Sequence, residues 1–251
     1  MSLIYLNGQF IDDKPPVITY RDSGFTTGIG IFDSMLADKG TLVHGKEHYE
    51  RIIHDVRTVM GLTCPMGFEK FEENCLKLLQ DNKVTHGFAR VRSTVTGGVV
   101  KAPLLPAHTA TVLIEVAACP SPEKIEPARC VIVTDFPRIA GCVLENCKRL
   151  DYSRSYAARR QAEKNGGNEA ILMNTDGNIA CGTTSNLFIE ENGILITPPL
   201  SDGVLAGVTR RKLIEERDVR EESISLERLQ SADNIFLTNS FIGLRPVSLV
   251  N

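Results

Sequence analysis

The sequence predicts an α+β fold in two domains, and three observations carry that prediction. Short apolar runs bounded by Asn-Gly, Lys-Gly and Asp-Gly turns alternate with segments whose apolar residues recur at helical spacing. A stretch with three prolines, Ala117 to Pro127, separates residues 1–116 from residues 128–251 and reads as an interdomain linker. The densest pattern, Asn168 to Phe188, reads as strand, Asp-Gly turn, strand, polar run and strand, with small hydroxyl-bearing residues between buried apolar ones.

Composition bounds what the chain can be. Its 251 residues, 42% hydrophobic and 24% charged, suffice for two small cores. A formal net charge of −3 leaves no electrostatic footprint for nucleic acid or an anionic membrane. No signal-peptide-like start and no bilayer-length apolar run is present, so a cytoplasmic protein is expected. Seven cysteines, an odd and scattered number, suit reduced thiols. The five histidines have no metal-like spacing and no CxxC occurs, so no metal site is expected.

Taken in order, residues 3 to 11 form a hairpin about Asn7-Gly8. Tyr20 to Met35 reads as a glycine-rich loop entering a strand, and Thr41 to His44 as a further strand after the Lys39-Gly40 turn. Glu47 to Leu62 places Tyr49, Ile52, Ile53, Val56, Val59 and Met60 at helical spacing, with Gly61 and Pro65 as stop signals. A second amphipathic helix runs from Phe68 to Asn82. Strands follow at Ala89 to Val95 and Thr111 to Val116. Beyond the linker come a strand at Cys130 to Thr134 and a helix at Tyr152 to Lys164, closed by Gly166-Gly167. The central hairpin, a strand ending at Thr197, a helix from Val208 to Glu216 and a strand from Asp233 to Asn239 complete the chain.

Six motifs in one order resemble those of the class IV aminotransferases. The central stretch is similar to that family's E-A-I-L…S-N-[LI]-F signature. Asp22 to Phe32 resembles its D-x-[GA]-[FY]-x-x-G segment, His48 to Ile52 its H-x-x-R-[LI], and Lys148 to Asp151 its K-x-x-[ND]. Leu205 to Arg210 resembles L-x-G-[IV]-T-R, and Thr238-Asn239-Ser240 with Pro246-Val247 resembles the lyase-like variant of the family ending. The resemblance implies a fold-type IV enzyme with pyridoxal 5'-phosphate at the interface of two α/β domains, working as a homodimer on a small amino-group substrate.

Residue by residue, the resemblance implies that Lys148 forms the Schiff base and shuttles protons. Arg51, the helix-start amides of Val208 and Thr209, and Ser240 would hold the phosphate. A helix start with unsatisfied N–H groups is a physically natural phosphate seat. Tyr152 would reach the ring hydroxyl, and Thr183 and Thr184 would line the cofactor. One position departs from the pattern: where the family has a glutamate at the ring nitrogen, this chain has Cys181. A second departure is Thr96-Gly97 in place of Arg-Gly, which leaves Arg90, Arg92 and Arg138, with Phe25, as candidates for substrate binding. The implied activity is aminodeoxychorismate lyase, toward folate. The alternatives are an amino-acid aminotransferase of D-amino-acid or branched-chain type, or a catalytically silent cofactor-binding protein.

Overall fold

The computed structural model describes residues 2–15, 18–102, 104–105, 109–122 and 126–250. The chain divides into two compact units, Met1–Ser121 with Cys147–Asp151, and Pro122–Asn146 with Tyr152–Asn251. The short segment Cys147–Asp151, which carries Lys148, groups with the first unit. Residues 123–125 of the expected linker lie outside the described residues.

The first unit contains β1 (Leu3–Leu6), β2 (Gln9–Asp12), α1 (Ser23–Thr27), β3 (Gly30–Asp38) and β4 (Thr41–Leu42). It continues with α2 (Gly45–Met60), α3 (Phe68–Asp81), β5 (Phe88–Thr96) and β6 (Thr111–Ala118). Six strands form one antiparallel sheet in the order β2-β1-β6-β5-β3-β4. The β1–β2 hairpin turns at Asn7 and Gly8, both at positive φ, as the Asn-Gly pair predicts. Strand alternation sorts the faces. Ile31, Met35, Ala37, Val91 and Val95 turn inward to join Tyr49, Ile52 and Val56 of α2 and Phe71, Leu78 and Leu79 of α3. The glycine-rich segment is a short helix, α1, where sequence suggested a loop. Asp22 caps it by accepting from the Gly24 N–H, and Gly28 ends it in the left-handed region. β4 is two residues long because the chain must turn at His44 to start α2.

Lys148–Leu150 lies beside the first half of β3. The Phe32 N–H donates to the Lys148 carbonyl, the Leu150 N–H to the Gly30 carbonyl, and Ile31 bridges Arg149. Gly30 is required here for space: a Cβ would fall 2.6 Å from Leu150 Cδ1 and 2.9 Å from the Val95 carbonyl oxygen.

The second unit contains β7 (Ala128–Arg138), α4 (Ser153–Lys164), β8 (Glu169–Asn174), β9 (Ile179–Gly182), β10 (Asn186–Glu191) and β11 (Ile194–Thr197). It ends with α5 (Val208–Glu216), β12 (Val219–Glu221), α6 (Leu226–Ser231), β13 (Asn234–Asn239) and β14 (Gly243–Leu249). The sheet order is β12-β11-β10-β13-β14-β7-β8-β9, and β9 also pairs with β10, so six strands close on themselves. Cys181 is the closing residue, opposite Leu172 on β8 and Asn186 on β10. The interior is filled by Ile171, Ile179, Leu187, Ile189, Ile196, Ile224 and Leu237. β12, α6 and β14 had no sequence prediction. The first two are three and six residues long, and the Gly243-to-Leu249 strand contains Pro246.

Candidate active site

Within the first unit, chemistry gathers around β3 and α2. His48, Arg51 and Asp55 fall at i, i+3 and i+7 and so share one face of α2. Asp33, on the helix-facing side of β3, accepts from Arg51 Nε at 2.8 Å and lies 2.7 Å from His48 Nδ1. A second guanidinium nitrogen of Arg51 lies 2.8 Å from the same carboxylate oxygen. Burial alone would raise the Asp33 carboxyl, but the Arg51 and His48 charges outweigh it and hold the group well below the usual carboxylate range. Arg51 is thus aimed by a permanently ionised partner. Asp55, also buried, accepts from the backbone N–H of Lys148 at 2.8 Å. Lys148 is fixed on both sides, through its N–H to α2 and through its carbonyl to β3.

The opposite face of the same sheet carries Phe32, whose ring is shared by two cations. Lys148 Nζ lies 4.5 Å from the ring centroid and the Arg92 guanidinium carbon 3.9 Å from it. Both cations therefore lie within cation–π distance of one ring. Arg90 is half-exposed, with Glu115 at 3.6 Å. Phe25 is 77% exposed on α1. Thr96, in place of the family arginine, donates to Asp22 and accepts from the Gly98 N–H, so its hydroxyl holds a turn.

Within the second unit, three polar segments meet. Asn186 Nδ2 donates to the Leu205 carbonyl, Asn239 Nδ2 to the Thr184 carbonyl, and Asn186 pairs with Thr238. These place Thr183–Asn186, Leu205–Thr209 and Thr238–Ser240 together. α5 starts at Gly207 with no side-chain cap, so the Val208 and Thr209 amides precede its first internal hydrogen bond. A Cβ on Gly207 would fall 2.0 Å from Asn186 Oδ1. The Ser185 and Thr238 hydroxyls are buried without a hydrogen-bond partner among the described residues. An uncapped helix start, a glycine allowing close approach and two unsatisfied hydroxyls fit a phosphate group.

Cys181 is 6% exposed, beside Ala180, Leu172 and Val204. Burial pushes its thiol up, leaving it neutral near pH 7. Arg138, Glu145, Glu169 and Arg154 act on it electrostatically. Each carboxylate is already held. Glu145, in a 3-10 turn at Val143–Asn146, pairs with Arg154 through Oε1, while its Oε2 lies 2.9 Å from Arg138 Nη2 as an ion pair without hydrogen-bond geometry. Glu169 pairs with Arg159 at 3.1 Å and accepts from both the N–H and the hydroxyl of Thr183.

Two of the candidate residues already have partners. Arg138 donates to the Gly203 and Glu145 carbonyls and pairs with the Glu145 carboxylate, contacts that hold a loop. The Thr183 side chain serves Glu169 in the same way. Tyr152 is the N-cap of α4 and makes no side-chain capping bond. Sequence reasoning missed Phe32, Asp33, Asp55, Glu145 and Glu169. Asp33 alone carried a signal, an ionisable residue inside an apolar strand opposite a helical His/Arg pair.

The family model for "Amino-transferase class IV" matches residues 30–250. A Methanocaldococcus jannaschii protein provisionally named branched-chain-amino-acid aminotransferase is 33% identical, across 97% of this chain and 86% of its own length. An aminodeoxychorismate lyase of Bacillus subtilis is 30% identical, across 99% and 86%. A solved branched-chain aminotransferase of Thermoproteus uzoniensis, crystallised with norvaline, superposes with a TM-score of 0.90 at 24% identity, covering 99% of this chain and 87% of that one.

Proposed function

The chain belongs to the class IV aminotransferase family, a family of pyridoxal phosphate-dependent enzymes, and from that premise we propose that it is an aminodeoxychorismate lyase. It would release pyruvate from 4-amino-4-deoxychorismate and leave 4-aminobenzoate. The observation that carries this reading is the surroundings of Cys181: a neutral thiol where the family has a glutamate, with Glu145 and Glu169 each already held by arginines. The charged groups that act on Cys181 are two arginines and two glutamates, whose formal charges cancel, so no unpaired carboxylate is left to favour protonation of a nearby pyridine nitrogen.

When bound, the cofactor supplies an electron sink for charge developing at the substrate. A sink weakened in this way suits elimination better than amino transfer. In elimination, proton loss at C4 is coupled to breaking the C3–O bond, and formation of an aromatic ring provides the driving force. Lys148 would hold the cofactor covalently. Its Nζ, on a backbone pinned by Asp55 and Phe32, would take the C4 proton and return one to the departing enolpyruvate. Arg92 would orient a substrate carboxylate, a charge-assisted contact that can be bidentate. Arg51, aimed by Asp33, and the Val208 and Thr209 amides would hold the phosphate.

The second reading is an amino-acid aminotransferase, favoured by the 33% identical archaeal relative. The comparisons support the two activities equally. The family's homodimeric state is part of the proposal, and sedimentation of the purified protein checks it. The deciding experiment runs two assays on one preparation: 4-aminobenzoate and pyruvate from enzymatically generated aminodeoxychorismate, and keto-acid-dependent transamination. Product in the first supports the lyase. No product there beside brisk transamination hands the case to the second reading. In either assay Arg92→Ala should lower kcat/KM by about 10- to 100-fold, mostly through KM, as loss of a charged hydrogen bond of about 1.5–3 kcal/mol predicts.

A further inference from the structure

Beside the chemistry described above, the first unit holds a second constellation with a different ligand set. His54 and Asp55 are consecutive on α2, and Cys147 immediately precedes Lys148. His54 Nδ1, an Asp55 carboxylate oxygen and Cys147 Sγ all lie within 4.8 Å of one another. The sequence separates Cys147 from the other two by about ninety residues, so spacing could not reveal the group. We propose that His54, Asp55 and Cys147 form a binding site for one divalent ion of borderline softness, zinc by preference. Ion binding there would govern the segment that carries Lys148.

The donor set is imidazole nitrogen, carboxylate oxygen and thiolate sulfur, which is zinc chemistry rather than calcium or magnesium chemistry. Tetrahedral zinc with bonds of about 2.0 Å to N and O and about 2.3 Å to S sets its donors roughly 3.3–3.6 Å apart. The His54 Nδ1–Asp55 Oδ1 distance is 3.0 Å, so these two need move only slightly. Cys147 is in no disulfide and closes the triangle with a small adjustment of its side chain. Asp55 and Cys147 are buried, whereas the His54 side chain is 60% exposed. The ion therefore has an entry path on the histidine side, where water supplies the fourth ligand. On binding, the ion takes the place between His54 Nδ1 and an Asp55 carboxylate oxygen, the neutral imidazole carries its N–H on the other ring nitrogen, Nε2, and the Cys147 thiol releases its proton to solvent as the metal–sulfur bond forms.

The other oxygen of Asp55 accepts the Lys148 N–H. An ion held by Asp55 and by the residue before Lys148 stiffens that segment from two directions and draws electron density from the carboxylate. The expected consequence is reversible inhibition, relieved by a chelator. That consequence rests on Lys148 being the cofactor lysine; the ion site itself does not.

The test uses the holoenzyme, titrated with cobalt(II) and read by its d–d bands, then displaced with zinc. One equivalent of tetrahedral, sulfur-ligated cobalt is expected. Affinity should fall about tenfold or more in both Cys147→Ser and His54→Ala, with cofactor absorbance retained. Cys142→Ser should bind cobalt like the parent. Equal binding by parent and Cys147→Ser, or no stoichiometric cobalt in the parent, overturns the site. If Cys147→Ser does not fold, the exposed His54→Ala decides alone: undiminished binding overturns the site. Cobalt bound with unchanged turnover overturns the coupling to Lys148. The assignment of Lys148 itself fails separately, if reductive labelling marks another lysine.

Discussion

Replacing Cys181 by glutamate restores the charge that the family places at the ring nitrogen, in a setting built without it. The site is buried on β9 among Ala180, Leu172 and Val204, so the larger side chain costs roughly 1–3 kcal/mol in overpacking. Arg138 and Arg154, which now share Glu145, would also attract the new carboxylate and keep it ionised. A carboxylate about 4 Å from a pyridinium, at an effective dielectric near 20, stabilises it by about 4 kcal/mol. That corresponds to a ring-nitrogen pKa higher by about 3 units. The ring should then be protonated through the neutral range, and amino transfer, which depends most on the electron sink, should gain relative to elimination. Nitrogen-15 resonance of labelled cofactor reads the protonation directly, and the two assays on one preparation read the ratio. The reasoning is refuted if Cys181→Glu, fully loaded with cofactor, shows a protonated ring and an unchanged ratio of transamination to lyase activity.

Borohydride reduction of the holoenzyme followed by peptide mapping should place the pyridoxyl group on Lys148; another lysine would remove the site assignment. Asp33→Asn leaves the Arg51 guanidinium without its buried counter-charge, which should cost about 3–5 kcal/mol in denaturant unfolding and weaken cofactor binding; unchanged stability would mean Asp33 does not hold Arg51. Because the folded Asp33 pKa is depressed, its contribution is fully present above the ordinary carboxylate pKa near 4 and is lost as pH falls below it. Acid unfolding of the parent should therefore show a stability loss below about pH 4 that Asp33→Asn lacks. Gly207→Ala drives a methyl group to 2.0 Å from Asn186 Oδ1 at the start of α5, so cofactor affinity should drop with little change in the rest of the unit; undiminished affinity would move the phosphate elsewhere.

Much of this architecture was legible because local signals and tertiary packing agree. Asn7-Gly8 fixes a hairpin, Gly61 ends α2 in the left-handed region, and α5 spans the residues its pattern predicts. What was not legible is short or non-local. β12 is three residues long and α6 six, below the length at which periodicity distinguishes a helix or strand from a loop. β14 contains Pro246, which reads locally as a strand breaker, yet its ladder with β13 and β7 supplies enough tertiary pairing to override that preference.

The site divides along the same line. Lys148, Arg51 and the Val208-Thr209 helix start, the proposed cofactor contacts, lie inside contiguous motifs and could be proposed from sequence. The residues that aim them could not, because an aiming residue is defined by distance in space. Asp33 is 18 residues from Arg51 and 15 from His48, and Asp55 is 93 residues from Lys148. The same holds for the three candidate arginines, which sequence left equivalent. Arg138 differs from Arg92 in what surrounds it: Glu145 and two carbonyl oxygens contact one guanidinium, whereas the other lies on the ring that also carries Lys148. Cys181 shows the limit from the other side. The substitution was visible in the sequence, but whether a neighbouring carboxylate replaces the lost one depends on Glu145 and Glu169, 36 and 12 residues away. Both lie near the thiol, and both are already neutralised by arginines. Proximity of a carboxylate is therefore not compensation. On the proposed placement of the cofactor, the charge that counts at the ring is what remains after each carboxylate's own partners are included, and here two arginines and two glutamates cancel, so no negative charge is left over.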